Sequence, residues 1–374
     1  MKTADPELMR AINRFHVMDV IRKRGPLSRT EISAWTELSA ATVSAITAAL
    51  LEDGLIGVRH EPPSGDGARG RPRVMLALEP GAAHVVGVKL APRSVSVAVT
   101  DFAAEPLATL TMPVRCERQK LDVVADLVED GIRHCVLDAG LDLARIHGVC
   151  VGVPGLVDTE RGRSWQSPIF GPEAAPIRSA IEARLGIATQ LESDGDLAAM
   201  AEHWFGHGRD VEDFIVVAVE AGVSLGVIHK GELFRGGAGI SADLGWCLAG
   251  PDGRLAPPGA EPDPVTLGRA IAGAAALLAL PRDPRRGRDA GRQPAGRAGA
   301  RRLRRCPLPA LRERTALRVA LWREDVWARG AAIRVLRDLY GAPGALTGPR
   351  LVRPGGAAAG AARPLVDELE GEAT

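Results

Sequence analysis

Several features are scarce in this 374-residue chain. Cysteine is one: Cys116, Cys135, Cys150, Cys247 and Cys306 are scattered, with no close pair. That spacing argues against a disulfide framework or a cysteine-rich zinc site, and for a reducing cytoplasm. Long apolar runs are also missing; none approaches the roughly 20 residues needed to span a bilayer. The opening MKTADPELMRAINR is polar and amphipathic, unlike a secretory signal. Nor is there an excess of one charge. The net charge is +1, so no global basic field exists and any contact with nucleic acid must be local. The expectation is a cytoplasmic protein with no membrane partner, long enough for about two or three domains.

What is present centres on residues 28–54, SRTEISAWTELSAATVSAITAALLEDG. The stretch reads as two short helices and a tight turn, the reading unit of a helix-turn-helix. Ser28 can cap the first helix, with Glu31 completing a capping box. Ile32 and Trp35 recur at helical spacing. Ser39 is a second cap. Val43, Ile46, Leu50 and Leu51 give the second helix one buried stripe. Its outward face carries Ala40, Ala41, Thr42, Ser44, Ala45 and Thr47, which are small or hydroxylated. A helix entering the roughly 12 Å major groove needs such low-profile side chains near its N-terminus. The N–H groups at that end also favour a phosphate.

A plain helical hairpin would share this pattern, but the next residues extend it. GLIGVRH (54–60) is a β-prone run, EPPSGDGARGRPR is a basic loop, and VMLALEP resumes a strand. Helix, turn, helix, strand, basic loop, strand is the order of a winged helix. The wing would present Arg69, Arg71 and Arg73 to phosphates or to a narrow minor groove. With Ser28, Arg29, Thr30 and Ser39, these arginines and the outward face of the second helix make up the expected DNA-binding set. Residues 6–24 form the scaffold helix, with Leu8, Ile12, Phe15, Val17, Val20 and Ile21 on its buried side. The winged helix spans 6–80.

A second domain, 81–255, alternates strand groups with helices, which is the signature of an α/β fold. Strands are expected on both sides of a turn at Ala91-Pro92-Arg93, in PLATLTMPV, in ARIHGVCVGVPGLVD, in IATQLES and in DFIVVAVEAGVSLGVIHKGEL. Helices are expected over 119–140, 174–185 and DLAAMAEHWFG.

The order of motifs resembles the ROK family of repressors and sugar kinases, and within it the xylose-repressor-like branch. The residues that carry the likeness are LSAATVS and the Gly-Arg-Pro wing, VGVPGLVD (151–158), ESDGDLAAMAEHWFG (192–206), GVSLGVIHKGELFRGGAG (222–239) and SADLGW (241–246). The resemblance covers about residues 6–254. It implies a winged helix ahead of an actin/hexokinase-like, ribonuclease H-like sugar-binding domain, and with it a repressor of carbohydrate genes released from DNA by a sugar or sugar phosphate.

Departures from the family's pattern indicate the kind of member. Where the family's kinases have an Asp-x-Gly-x-Thr turn for phosphate and magnesium, this chain reads GVKLAPRS, with Lys89 and Ala91 and no carboxylate. In the second phosphate loop Glu220 and Ser224 replace two glycines. Kinase chemistry is therefore the rival reading, not the expected one, and no catalytic residue is assigned. The family's Asn-Asp-x-Asn becomes Ser193, Asp194, Gly195 and Asp196, keeping the central carboxylate. Glu202 matches a family glutamate, and Asp243 stands as a shortened carboxylate. Asp194, Glu202 and Asp243 are the candidate effector ligands, because carboxylates accept two hydroxyl hydrogen bonds at once. Trp246 replaces a histidine and the cysteine knuckle that follows it in the family is missing, so the zinc site reads as lost and no cofactor is expected.

From residue 256 the composition turns to Ala, Gly, Pro and Arg, densest in PRDPRRGRDAGRQPAGRAGARRLRR (281–305). One reading is a basic, disordered linker that helps to bind DNA. The other is translation out of the ancestral frame of a GC-rich gene, favoured because the break falls where the zinc knuckle should begin. Residues 256–374 are taken as a tail of uncertain fold, with some helical spacing over 309–340. The expected assembly is a homodimer on a near-palindromic double-stranded operator, its two recognition helices about one DNA turn apart.

Overall fold

The computed structural model describes residues 6–60, 73–219, 223–236, 271, 273–274 and 324–341. The chain opens with α1 (Pro6–Arg24), α2 (Arg29–Thr36) and α3 (Ala40–Glu52). Ser28 and Glu31 form the full capping box, and Ser39 caps α3 by accepting the Thr42 N–H at 3.1 Å. Between α2 and α3 the axis bends by 117°, within the range of a helix-turn-helix. Glu37 takes the left-handed conformation in that turn, a position more often given to glycine. The Ser33 hydroxyl donates to the Leu38 carbonyl at 2.6 Å and ties the turn down. Two antiparallel strands follow, β1 (Ile56–His60) and β2 (Val74–Leu78), paired from Ile56 with Leu78 to His60 with Val74. Leu27 and Leu76 exchange backbone hydrogen bonds, so the segment before α2 joins the same small sheet. Helix, turn, helix and hairpin make a winged helix.

The expected buried side of α1 is shifted. Phe15, Val17, Met18 and Ile21 are buried, whereas Leu8 is 51% exposed. Trp35 also reaches solvent, where the Arg24 guanidinium covers its ring at 3.8 Å.

The α/β domain is built on a five-stranded sheet in the order β5-β4-β3-β6-β9. Its strands are β3 (His84–Ala91), β4 (Ser94–Asp101), β5 (Pro106–Met112), β6 (Ile146–Val153) and β9 (Thr189–Ser193). Short β7 (Leu156–Asp158) and β8 (Arg163–Trp165) pair beside it. β3, β6 and β9 run parallel, while β4 is antiparallel to both of its neighbours. In chain order this is 3-2-1-4-5, the ribonuclease H-like arrangement. On one face α4 (Leu121–Asp138) and α5 (Ile177–Leu185) bury Val86, Val88, Val97, Val149 and Val151. The alternation of strand side chains sends Val85, Gly87 and Lys89 to the opposite face. There α6 (Asp194–Trp204) and α7 (Glu324–Leu339) pack, and α6 also lies on a second antiparallel sheet of β10 (Phe214–Val219), β11 (Val223–His229) and β12 (Glu232–Leu233).

Helix α7 lies within the stretch expected to be a tail, and it is part of the core. Trp327, Ala328, Ala331, Ala332, Ile333, Leu336 and the following Tyr340 are all buried. Burial of each large side chain contributes about 1.5–3 kcal/mol. A Cβ on Gly87 would lie 1.8 Å from the Ala328 carbonyl oxygen, so strand and helix backbones meet where only glycine fits. The Tyr340 hydroxyl donates to the Phe102 carbonyl at 2.5 Å, fastening the end of the helix.

The winged helix sits directly on this face. The Arg22 guanidinium lies 3.8 Å over the Trp204 ring at the end of α6 and is held by Asp19 at 2.7 Å. Arg209 donates to the Lys23 carbonyl, Arg24 pairs with Asp210 at 3.5 Å, and Arg337 faces the Phe15 ring. Burial raises the Asp19 carboxyl, but Arg22 and Lys23 outweigh it and hold the group at about 2. One apolar cluster runs without a break from Phe15 and Leu50 through Leu197 and Trp204 to Leu336.

Candidate nucleic-acid interface and effector cleft

The start of α2, the face of α3 and the base of the wing lie in one small unit. Ala40, Ala41, Ser44 and Ala45 are exposed on α3, and Thr42 is half-buried. Ser39 and Thr42 share a hydroxyl hydrogen bond of 2.8 Å at its N-terminus. Thr30 is exposed, while Ser28 and Arg29 are half-buried. The Glu31 carboxylate accepts the Ser28 N–H at 2.8 Å and the Ser28 hydroxyl at 2.7 Å. Those bonds, with a smaller contribution from Arg73, lower its pKa. Arg73, exposed at the foot of β2, is thereby placed beside the start of α2. Arg69 and Arg71 lie outside the described residues.

Thr47 requires a correction. It is fully buried and cannot reach a groove. With Val43 and Leu50 it completes the i, i+4, i+7 stripe that faces the core, a spacing already present in the sequence. Its hydroxyl oxygen accepts from Arg29 Nε at 2.9 Å.

The second site, the candidate effector cleft, is a cluster of buried charged side chains at the C-terminal ends of β3 and β9 and the start of α6. Two glycines let α6 approach β11: a Cβ on Gly195 would meet the Leu225 backbone, and one on Gly226 would meet the Gly195 carbonyl oxygen. Asp194, the first residue of α6, is buried and ion-paired with the Lys89 ammonium, which is itself 3% exposed. The ammonium also lies 4.8 Å from the Trp327 ring centroid. Next to this pair the fully buried Glu192 carboxylate accepts from both ends of the Arg235 guanidinium, at 3.0 and 2.5 Å. Arg334 approaches the same carboxylate at 3.6 Å and bonds Asp338. Burial lowers the Arg235 pKa, yet Glu192 more than offsets it, so the guanidinium stays charged.

Lys89 thus places an ammonium, which cannot ligate a metal ion, against the Asp194 carboxylate.

Glu202, expected in this cleft, lies eight residues further along α6, about 12 Å from Asp194 by helical rise. Its carboxylate accepts the His207 N–H at 2.7 Å and so serves the end of the helix. Asp243 lies outside the described residues, as do Glu220, Trp246 and the segment where zinc ligands would fall. From residue 230 onward the sequence has no histidine and only Cys247 and Cys306. The sequence reading missed Arg235, Arg334 and Trp327 as cleft residues. Their partners are remote in the chain, and no local spacing signals them.

The chain thus joins a winged helix to a ribonuclease H-like α/β fold. Residues 85–262 match the family model described as ROK family, and this stretch of the chain is a ROK domain. The xylose repressor of Caldicellulosiruptor bescii is 27% identical over 241 residues, which are 64% of this chain and 59% of that protein. The DNA-binding transcriptional dual regulator NagC of Escherichia coli K12 is 28% identical over 245 residues, covering 64% and 58%. The chain thus spans a little under three-fifths of the length of these curated relatives. A solved ROK family transcriptional regulator, described as a homolog of the E. coli MLC protein, superposes with a TM-score of 0.54 at 24% identity. It covers 72% of this chain and 68% of that one, a likeness of fold.

Proposed function

We propose that the protein is a transcriptional repressor that binds double-stranded operator DNA through α3 and its wing and carries no enzymatic activity. The exposed, low-profile face of α3 behind the Ser39 cap is the observation that carries this reading, because it matches what a major-groove helix requires. The repressor names of the relatives support it. The Lys89–Asp194 ion pair supports the absence of phosphoryl transfer.

In this reading the contacts come from Thr30, Ser39, Ala40, Ala41, Thr42 and Ser44 on the helices, and from Arg69, Arg71 and Arg73 on the wing. Two copies related by a two-fold axis would read two half-sites. A sugar or sugar phosphate entering the cleft at Asp194 would release the DNA by favouring one arrangement of the α/β domain over another. Asp243 is retained as a second candidate ligand, and Glu202 acts indirectly by fixing the end of α6. The protein needs no metal and works in the cytoplasm.

The test is selection of bound fragments from sheared genomic DNA with the purified chain, followed by displacement with a panel of monosaccharides and their phosphates. Enrichment of a palindromic site is expected. Recovery of no preferred sequence, or hexose-dependent ATP turnover in a coupled assay, would falsify the reading.

A further inference from the structure

We infer that Thr47 is a positioning residue whose buried hydroxyl aims Arg29 at a DNA phosphate; this rests on the DNA-binding reading above. The recognition helix buries Val43, Thr47 and Leu50 in one stripe, and Thr47 is its only polar member. Valine would fill the same volume there without a hydroxyl to satisfy. The hydroxyl is fully used: its proton goes to the Ser44 carbonyl at 3.2 Å, and its oxygen accepts from Arg29 Nε at 2.9 Å.

Arg29 is the first residue of α2, so this bond crosses from the first helix of the reading unit to the second. It also selects an edge of the guanidinium. With Nε engaged, the end-on pair of Nη groups remains available, a planar fork suited to two oxygens of one phosphate. Arg29 also stands in the first turn of α2, where the helix dipole adds positive potential, and Arg73 is near enough to act on Glu31 two residues along. Arg29 thus contacts the backbone of DNA and carries no sequence preference, while the α3 face reads the bases.

The test uses the full chain and a fluorescent, short duplex of random sequence, titrated by anisotropy over a range of salt concentrations. Arg29→Ala is expected to weaken binding about tenfold and to reduce the salt slope by about 0.9, the loss of one phosphate contact. Thr47→Val should reproduce both changes while keeping its charge complement, and the double variant should be no weaker than either single one. Thr47→Ser, which keeps the hydroxyl, should retain the wild-type slope, and Thr47→Ala should not. The Ser/Ala comparison decides the matter even where the valine variant folds poorly.

A wild-type slope in Thr47→Ala alongside a reduced slope in Arg29→Ala overturns the positioning role. An unchanged slope in Arg29→Ala overturns the phosphate contact. Failure of the wild-type chain to bind any duplex at low salt brings down the DNA-binding reading itself, and the inference with it.

Discussion

The reading unit and the cleft satisfy their polar groups in opposite ways. In the reading unit the partners are near in sequence: Ser28 with Glu31, Ser39 with Thr42, Ser33 with Leu38. Most of these groups touch water, so a lost bond is replaced by solvent. In the cleft the partners are remote: Lys89 with Asp194 and Arg235 with Glu192. Water hardly reaches the first of these pairs, and removal of one partner takes away a buried counter-charge. The N-terminal unit thus carries replaceable bonds, while the α/β domain carries bonds that are costly to lose singly.

That contrast is open to direct attack. The largest effect should come from Lys89→Met, which leaves the Asp194 carboxylate buried without its cation and destabilises the protein by about 3–5 kcal/mol in urea unfolding. Adding Asp194→Leu should recover most of the loss; a double variant as unstable as the single one would show that the pair's charges are not the reason. Gly87→Ala comes next. It forces a methyl group into the α7 backbone at a cost of about 3 kcal/mol, and a wild-type unfolding midpoint would mean that α7 does not rest on β3 in solution.

Acid provides a third probe. Burial, followed by the charges of Lys23, Arg337 and Arg22, lowers the His203 pKa to about 3, so the folded protein keeps this ring neutral. The unfolded chain takes up the proton near pH 6.5, the folded one only near 3. Stability is therefore complete above about pH 6.5 and falls by about 1.4 kcal/mol for each unit below it. His203→Gln should flatten that slope between pH 6 and 4; an identical slope would assign it to His84 and His147, which burial also lowers. The Asp19 contribution is lost only below its ordinary value of 3.8, toward 2. Smallest is Ser39→Ala, which removes one solvent-accessible cap and should cost about 1 kcal/mol of stability. A loss as large as that of Lys89→Met would erase the distinction between the two regions.

The same contrast accounts for what could be read ahead of the structure. A capping box four residues long is visible as letters, and so were the strands of the sheet, several of which are rich in valine. Thr47 was legible but misassigned: the 43–47–50 spacing places it inward, and its hydroxyl suggested the opposite. The cleft was readable only at Asp194, where a motif survives. Arg235 lies 43 residues from its partner Glu192, and no periodicity connects them. Helix α7 was legible as helical spacing within 309–340, but its place in the core was hidden for another reason. Its buried stripe at Ala328, Ala331, Ala332, Val335 and Leu336 has helical spacing, but alanine in an alanine-rich segment gives little hydrophobic contrast. The signal lay in Gly87, 241 positions away from Ala328, where the missing side chain makes room for the helix.

Helix α6 has one end in each region. Asp194 begins it inside the cleft, and Trp204 ends it beneath Arg22, about 15 Å away along a rigid rod. Thermodynamic linkage then runs in both directions. On the proposed reading, a molecule that shifts Asp194 also shifts the seat of the winged helix, and an operator that shifts that seat would alter the affinity at Asp194 by the same factor.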